Sequence, residues 1–161
     1  MVIESVGGAG GTLGATKVAK AAAGGRTLLL HHIGMATSTA LYRGLPLRPL
    51  EDFEFLGMIN QDPMTLIGRP TRAARDFPEL VKWLRTRRGK VSLANAGLGA
   101  ASHLCGLLFR QRLELSLATV TYKGTGPAMS DLLGGHVDIL CDQTTNTTQQ
   151  IQSGRGSRAM P

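Results

Sequence analysis

The sequence predicts an α/β fold built on a mostly parallel sheet. Short apolar runs alternate along its 161 residues with alanine-rich or amphipathic stretches, the pattern of strands joined by crossover helices. Glycine clusters stand where a strand-like run hands over to a helix-like one, as close turns require. The length suits one domain or two small lobes, and a hydrophobic content of 42% is enough for a real core.

The elements follow in order. Residues 2–6 read as a short strand leading into the glycine run Gly7-Gly8-Ala9-Gly10-Gly11-Thr12-Leu13-Gly14. Residues 15–23 read as a helix with Lys17 and Lys20 on its polar side, stopped by Gly24-Gly25. Residues 26–32 hold Thr27-Leu28-Leu29-Leu30, a buried-strand pattern, which makes the first 32 residues a βαβ unit. Residues 33–43 suit a loop and a short helix, and the two Leu/Arg-Pro steps at Pro46 and Pro49 mark an irregular stretch. Residues 53–67 read as two short strands broken at Asp62-Pro63.

The second half is more regular. Residues 76–87 form a helix capped by Asp76, with Pro78 in its first turn and Leu80, Val81 and Leu84 as its apolar stripe. A strand at 91–94 meets a second glycine loop at 95–99, and an amphipathic helix spans 101–112. Strands are expected at 117–122 and 137–141, with a helix at 126–133 closed by Gly134-Gly135. A last helix spans 144–152 and ends at Gly154.

Composition narrows the function. The formal net charge is +7, from 18 Lys and Arg against 11 Asp and Glu, and much of it lies between Arg69 and Lys90. That cluster adds Arg72, Arg75, Lys82, Arg85, Arg87 and Arg88, but its aromatics, Phe77 and Trp83, suit the inner face of a helix. A solvated helix face accounts for it better than a nucleic-acid surface. No apolar run approaches the roughly 18 residues of a membrane span, so no direct membrane insertion is expected. Met1-Val2-Ile3-Glu4 lacks the basic and apolar regions of a signal peptide, so the chain as written is expected in the cytoplasm. Cys105 and Cys141 leave one disulfide possible, but read as small buried apolar residues; two cysteines do not identify the redox compartment.

The two glycine loops are the strongest chemical signals. At a helix start the first backbone N–H groups have no intrahelical partner, and the helix dipole adds partial positive charge. Anions bind there without a charged side chain. The candidate donors are Gly10, Gly11, Thr12, Gly14 and Ala15 in the first loop. Gly97, Gly99, Ala101, Ser102 and His103 are the candidates in the second, where Ser102 adds a hydroxyl. The first loop fails as a P-loop, because Lys17 follows Gly14 two residues too late, and as Gly-x-Gly-x-x-Gly, because Leu13 stands at the last glycine. His103 with Cys105, and His136 with Cys141, do not make a zinc-ligand set. His31-His32 ends a strand-like run, a position that can aim one ring into a cleft, although a lone histidine there is usually structural. No nucleophile elbow and no paired carboxylates emerge, so no catalytic residue, metal or cofactor is assigned. Asp142 opens a polar turn, Asp142-Gln143-Thr144-Thr145-Asn146, after a strand, where α/β folds place ligand loops. A nucleotide-using α/β enzyme and a basic nucleic-acid-binding protein are the alternative readings.

An ordered set of motifs carries a family resemblance. It comprises Gly8-Ala9-Gly10-Gly11-x-x-Gly14-Ala15, Thr27-Leu28-Leu29-Leu30, Leu41-Tyr42-x-x-Leu45-Pro46 and Leu50-x-Asp52-Phe53. Ser102-His103-Leu104, Tyr122-Lys123-Gly124-x-x-Pro127-Ala128 and the run 131–138 follow, then Asp142. Over residues 2–154 the chain resembles the Bug, or tripartite tricarboxylate transporter, family of periplasmic solute-binding receptors. The resemblance implies a two-lobe, flytrap-like α/β fold (type II), mostly parallel in its sheets, with a small carboxylate held between the lobes by backbone amides and hydroxyls. It implies membrane transporter subunits as partners, a periplasmic location, and ligand contacts from 10–15, 97–103 and Asp142. Residues 1–62 correspond to a partial first lobe, 63–154 to a second lobe, and 155–161 to a tail without an apolar strand pattern. The expectation is a chain truncated at both ends, whose first lobe lacks sheet strands.

Overall fold

The computed structural model describes residues 1–70, 74 and 76–158, with the side chains of 157 and 158 left aside. Arg72 and Arg75 of the basic cluster, and residues 159–161 of the tail, lie outside the described residues.

The centre of the molecule is a five-stranded mixed sheet in the order β3-β2-β4-β1-β5. Its strands are β1 (Met64–Gly68), β2 (Ser92–Asn95), β3 (Ala118–Thr121), β4 (Ile139–Gln143) and β5 (Ser157–Arg158). β2 pairs in parallel with β3 and β4, whereas β1 runs antiparallel to β4 and β5. Around it lie α1 (Thr12–Ala19), α2 (Gly34–Leu41), α3 (Phe77–Thr86), α4 (Ala101–Leu113), α5 (Thr125–Leu133) and α6 (Thr144–Gln152).

Alternation along the strands divides the core between two faces. Leu93 and Ile139 look to one side with Leu80 and Leu84 of α3 and the inner residues of α4, while Phe77 and Phe109 meet edge to face. Ala94, Leu140 and Ile67 look to the other, against Ala128, Met129 and Leu132 of α5 and Ile151 of α6. β4 lies between β2 and β1, and its Ile139 to Asp142 stretch is buried on both faces. α3 starts as expected: the Asp76 carboxylate accepts from Glu79 N–H at 2.8 Å, with Pro78 in the first turn. α5 ends before Gly135 at φ 79° and α6 before Gly154 at φ 69°, the left-handed stops that glycine supplies.

Several expectations are corrected. Among the described residues no strand forms before Met64, so residues 2–6, 26–32 and the first half of 53–67 are not strands. The βαβ unit of the first 32 residues is therefore absent. Leu28, Leu30, Leu56 and Ile59 are 69–80% exposed, because no neighbouring strand meets their backbone. α1 begins at Thr12 and ends at Ala19, short of Ala23. β4 starts two residues later than expected, since Val137 and Asp138 complete the turn after α5 through bonds to the Asp131 carbonyl and Ser92. The cysteines are not independent apolar residues: Cys105 of α4 and Cys141 of β4 form a disulfide, their Cα atoms 6.1 Å apart. The tail contributes β5, which pairs through its backbone and so requires no apolar pattern.

Candidate functional site

The carboxyl ends of β2, β3 and β4 lie on one edge of the sheet because the three strands are parallel. The turns that leave them start α4, α5 and α6. α4 joins the face carrying Leu93, and α6 joins the face carrying Leu140. The chain thus leaves the neighbouring strands β2 and β4 toward opposite faces, and the ends of such a strand pair are where an α/β sheet usually has its ligand crevice.

The first glycine loop rests on this edge. Gly10, at φ 62°, and Gly97, at φ 133°, are in backbone contact: a Cβ on Gly97 would stand 2.9 Å from the Gly10 nitrogen. A Cβ on Gly10 would collide with the Leu98 carbonyl. Both glycines are needed for this approach as well as for their positive φ. Gly7 abuts the Lys123 carbonyl, so the loop spans the turns after β2 and β3. α2 holds the second loop from the same side. Thr37 Oγ1 donates to the Gly99 carbonyl at 3.1 Å, and the Tyr42 hydroxyl donates to the Leu98 carbonyl at 2.8 Å. Burial pushes the Tyr42 hydroxyl pKa up.

The sequence-predicted donors divide into two groups. Gly11 N–H donates to the Gly8 carbonyl, and Thr12 N–H and Oγ1 both turn to the Ala9 carbonyl. Gly97 N–H donates to Asn95 Oδ1 at 3.0 Å, and Gly99 N–H to His103 Nδ1 at 3.2 Å. Ser102 is 2% exposed, and its Oγ accepts from Ala96 N–H at 2.8 Å. These groups shape the loops. The N–H groups of Leu13 and Gly14 on α1, of Ala101, Ser102 and His103 on α4, and of Thr125 and Gly126 on α5 belong to first turns, where no intrahelical acceptor exists. None of these three helices has a side-chain bond from its N-cap residue. Ala15 is buried at 1% in the second turn of α1, where it packs.

Two carboxylates organise the edge. Asp142 is 3% exposed, and both its oxygens are filled by the chain's own donors. Thr125 Oγ1 donates at 2.7 Å, Gln143 N–H at 2.8 Å and Asn146 Nδ2 at 3.1 Å. Asp142 therefore ties the end of β4 to the starts of α5 and α6. Asp62 closes the start of α6, accepting from the Thr144 and Thr145 hydroxyls and from Thr145 N–H at 3.3 Å. The Thr144 hydroxyl first, then that of Thr145, holds the Asp62 carboxyl below its ordinary range. The start of α6 is thus held by the Asp62 carboxylate, while α1, α4 and α5 begin without a side-chain bond from their N-cap residues.

Beneath the second loop lies a cavity with room for about one water, lined by Asn95, Ser102, His103, Arg110 and Thr119. Burial, then the Arg110 charge, lowers the His103 pKa. Sequence reasoning missed Thr37, Tyr42, Asp62 and Thr125. Tyr42 stands inside a quoted motif, but nothing local tells that its hydroxyl reaches a loop 56 residues away. Among the described residues, no His, Cys, Asp and Glu cluster is placed to hold a metal ion, and no helix is long and apolar enough to cross a membrane.

Known proteins share this fold. The periplasmic binding protein BugD has 48% sequence identity and a TM-score of 0.93, over 99% of this chain and 53% of that one. MatC from Rhodopseudomonas palustris, solved with bound malate, has 34% identity and a TM-score of 0.83, over 94% and 52%. Rpa4515 from R. palustris, solved with adipate, has 26% identity and a TM-score of 0.93, over 99% and 54%. The chain spans about half the length of the curated relatives it matches. The family described as tripartite tricarboxylate transporter family receptor matches residues 1–159, and with this match the chain belongs to that family.

Proposed function

We propose that this chain is the ligand-holding part of a receptor for small carboxylates, di- or tricarboxylates or related organic acids, that feeds a tripartite tricarboxylate transporter in the periplasm. The observation that carries the reading is the meeting of the two glycine loops at the sheet edge, where α1, α4 and α5 begin without side-chain caps. Each such start favours an anion by roughly 0.3–1 kcal/mol, and more when partly buried. Donors of this kind hold a carboxylate without a lysine or arginine, and ligand release then does not require breaking an ion pair. The malate and adipate held by two similar proteins are of the same chemical class. A disulfide between Cys105 and Cys141 suits an oxidising compartment such as the periplasm. Membership of a receptor family supports binding rather than catalysis, with transporter subunits as partners.

The test is a thermal melt of the chain, alone and with malate, succinate, adipate and citrate, with ATP and duplex DNA as comparators. A ligand that binds the native state at 100 times its Kd adds about 2.7 kcal/mol of stability. A melt raised by a carboxylate and by neither comparator supports the reading. A rise with ATP alone favours the nucleotide alternative, and a steeply salt-dependent rise with DNA favours a nucleic-acid binder.

A further inference from the structure

We infer that His32 is a ligand-binding residue of this crevice, a neutral imidazole whose Nε2–H donates to an oxygen of the bound carboxylate. The inference rests on the carboxylate-receptor reading above and adds a residue that sequence reasoning set aside as structural.

The tautomer follows from the backbone. Gly34 N–H, at the start of α2, donates to His32 Nδ1 at 2.9 Å. A backbone N–H only donates, so Nδ1 carries the lone pair and the proton of the neutral ring is on Nε2. His31 fixes the main chain between the two rings. Its Nδ1 lies 2.9 Å from the His32 carbonyl, which only accepts, so His31 is protonated at Nδ1. The two rings stand 4.7 Å apart.

The position follows from what surrounds the pair. The His31 ring packs on Gly11, where a Cβ would lie 2.6 Å from Nε2, and Gly34 lies beside the Gly10 carbonyl. The pair therefore backs the first glycine loop. The Asp142 charge at the end of β4 acts on the His32 ring. The Asp142 oxygens are taken by Thr125, Gln143 and Asn146. Among the described residues, the one hydrogen bond of the His32 ring is that at Nδ1, and the ring is half-buried; the buried ring nitrogen without a partner belongs to its neighbour, His31 Nε2. A fixed, uncharged donor thus stands beside the first glycine loop, where Gly34 lies between the His32 ring and the Gly10 carbonyl. Burial, then His31, lowers the His32 pKa, and Asp142 opposes them. Protonation at Nδ1 would set N–H against the Gly34 N–H, so the geometry also favours the neutral ring.

His32→Asn separates the two roles of the ring. Asn keeps an acceptor at the δ position for Gly34 N–H, as Asn does in local turns, but has no donor that reaches as far as Nε2. The probe is malate, titrated calorimetrically into the wild-type chain, His32→Asn and His32→Gln. A hydrogen bond to a charged acceptor sets the expected scale. His32→Asn is expected to melt like wild type without ligand and to bind malate roughly ten-fold more weakly. His32→Gln, whose amide N–H reaches the ε position, is expected to recover part of the loss. Malate binding unchanged in His32→Asn would overturn the inference and leave His32 as a cap of α2 alone. If His32→Asn both melts lower and binds more weakly, His32→Gln decides: recovery supports the donor role, and none overturns it. A wild-type chain that binds neither malate, succinate, adipate nor citrate would overturn the receptor reading itself, a result distinct from an unaffected His32→Asn.

Discussion

Residues 1–62 and residues 63–158 carry similar apolar patterns and use them differently. Thr27-Leu28-Leu29-Leu30 and Met64-Thr65-Leu66-Ile67 both read as buried strands, yet Leu28 and Leu30 are 69% and 78% exposed while Leu66 and Ile67 are buried. Every strand and both apolar clusters lie in the second region. Of the described large apolar side chains that stay exposed, all but Leu98, Leu107 and Leu108 lie before residue 60. The first region nevertheless forms α1 and α2, and it reaches the second through the glycine loop, Thr37 and Tyr42. The difference teaches that a helix closes its hydrogen bonds within one segment, whereas a strand forms only where another strand accepts its edge.

Substitutions in the two cores test this contrast most severely. Leu132 is fully buried against Leu140 and Ile67, so Leu132→Ala should cost about 2–5 kcal/mol in urea unfolding. Leu56→Ser or Ile59→Ser in the first region should stay within about 0.5 kcal/mol. Comparable losses at both places would break the comparison. Reduction of the Cys105–Cys141 disulfide, which closes a loop of sequence separation 36, should lower stability by roughly 2–4 kcal/mol. An unchanged urea midpoint under reducing conditions would show that the disulfide does not constrain the second region.

Asp142→Asn comes next. It replaces a buried acceptor of three donors by a group that must turn an N–H toward one of them. About 1–3 kcal/mol of stability should be lost, together with carboxylate-dependent stabilisation, because the starts of α5 and α6 lose their common anchor. Asp76→Ala, at the cap of α3, should cost about 1 kcal/mol and leave ligand response unchanged, since that helix start is not at the crevice. A loss of ligand response there would blur the line between site and scaffold.

The smallest expected effect is that of pH. His32 and His103 both titrate below the ordinary 6.5 in the folded chain, so folding favours their neutral forms. The unfolded chain takes up protons first as pH falls. Their contribution to stability is therefore complete above about pH 6.5 and is lost as pH drops through the lowered folded values. Melts recorded from about pH 7.5 to about pH 5 should show a declining midpoint. His31 and Asp142 are the titratable groups whose charges act on His32, and Arg110 is the charge that acts on His103. In His32→Asn the decline should be shallower, and an equal slope would remove His32 as a contributor.

Much of the second region was legible because its signals are local. The Asp76 cap, the bounds of α6 at Thr144–Gln152 and the glycine stop after α5 follow from adjacent residues. The glycine loops were legible for the same reason, since helix starts leave first-turn amides without intrahelical partners wherever they occur. The family was legible from the order and spacing of its motifs. The site was legible only as two separate loops. That they touch at Gly10 and Gly97, that the Gly97 and Gly99 amides serve their own loop, and that Asp62 closes α6 are facts of long-range contact.

By itself the sequence determined the helices of the second region and the Asp76 cap, the α/β class and the two glycine turns, because periodicity, capping and glycine conformation act within a few residues. Only the tertiary structure decided which strand-like runs became strands, because pairing depends on partners far along the chain. It decided that Cys105 meets Cys141, since α4 crosses the face of β4 that carries it. It also decided that His32 presents an Nε2–H, since that proton is placed by the Gly34 N–H folding back onto the ring.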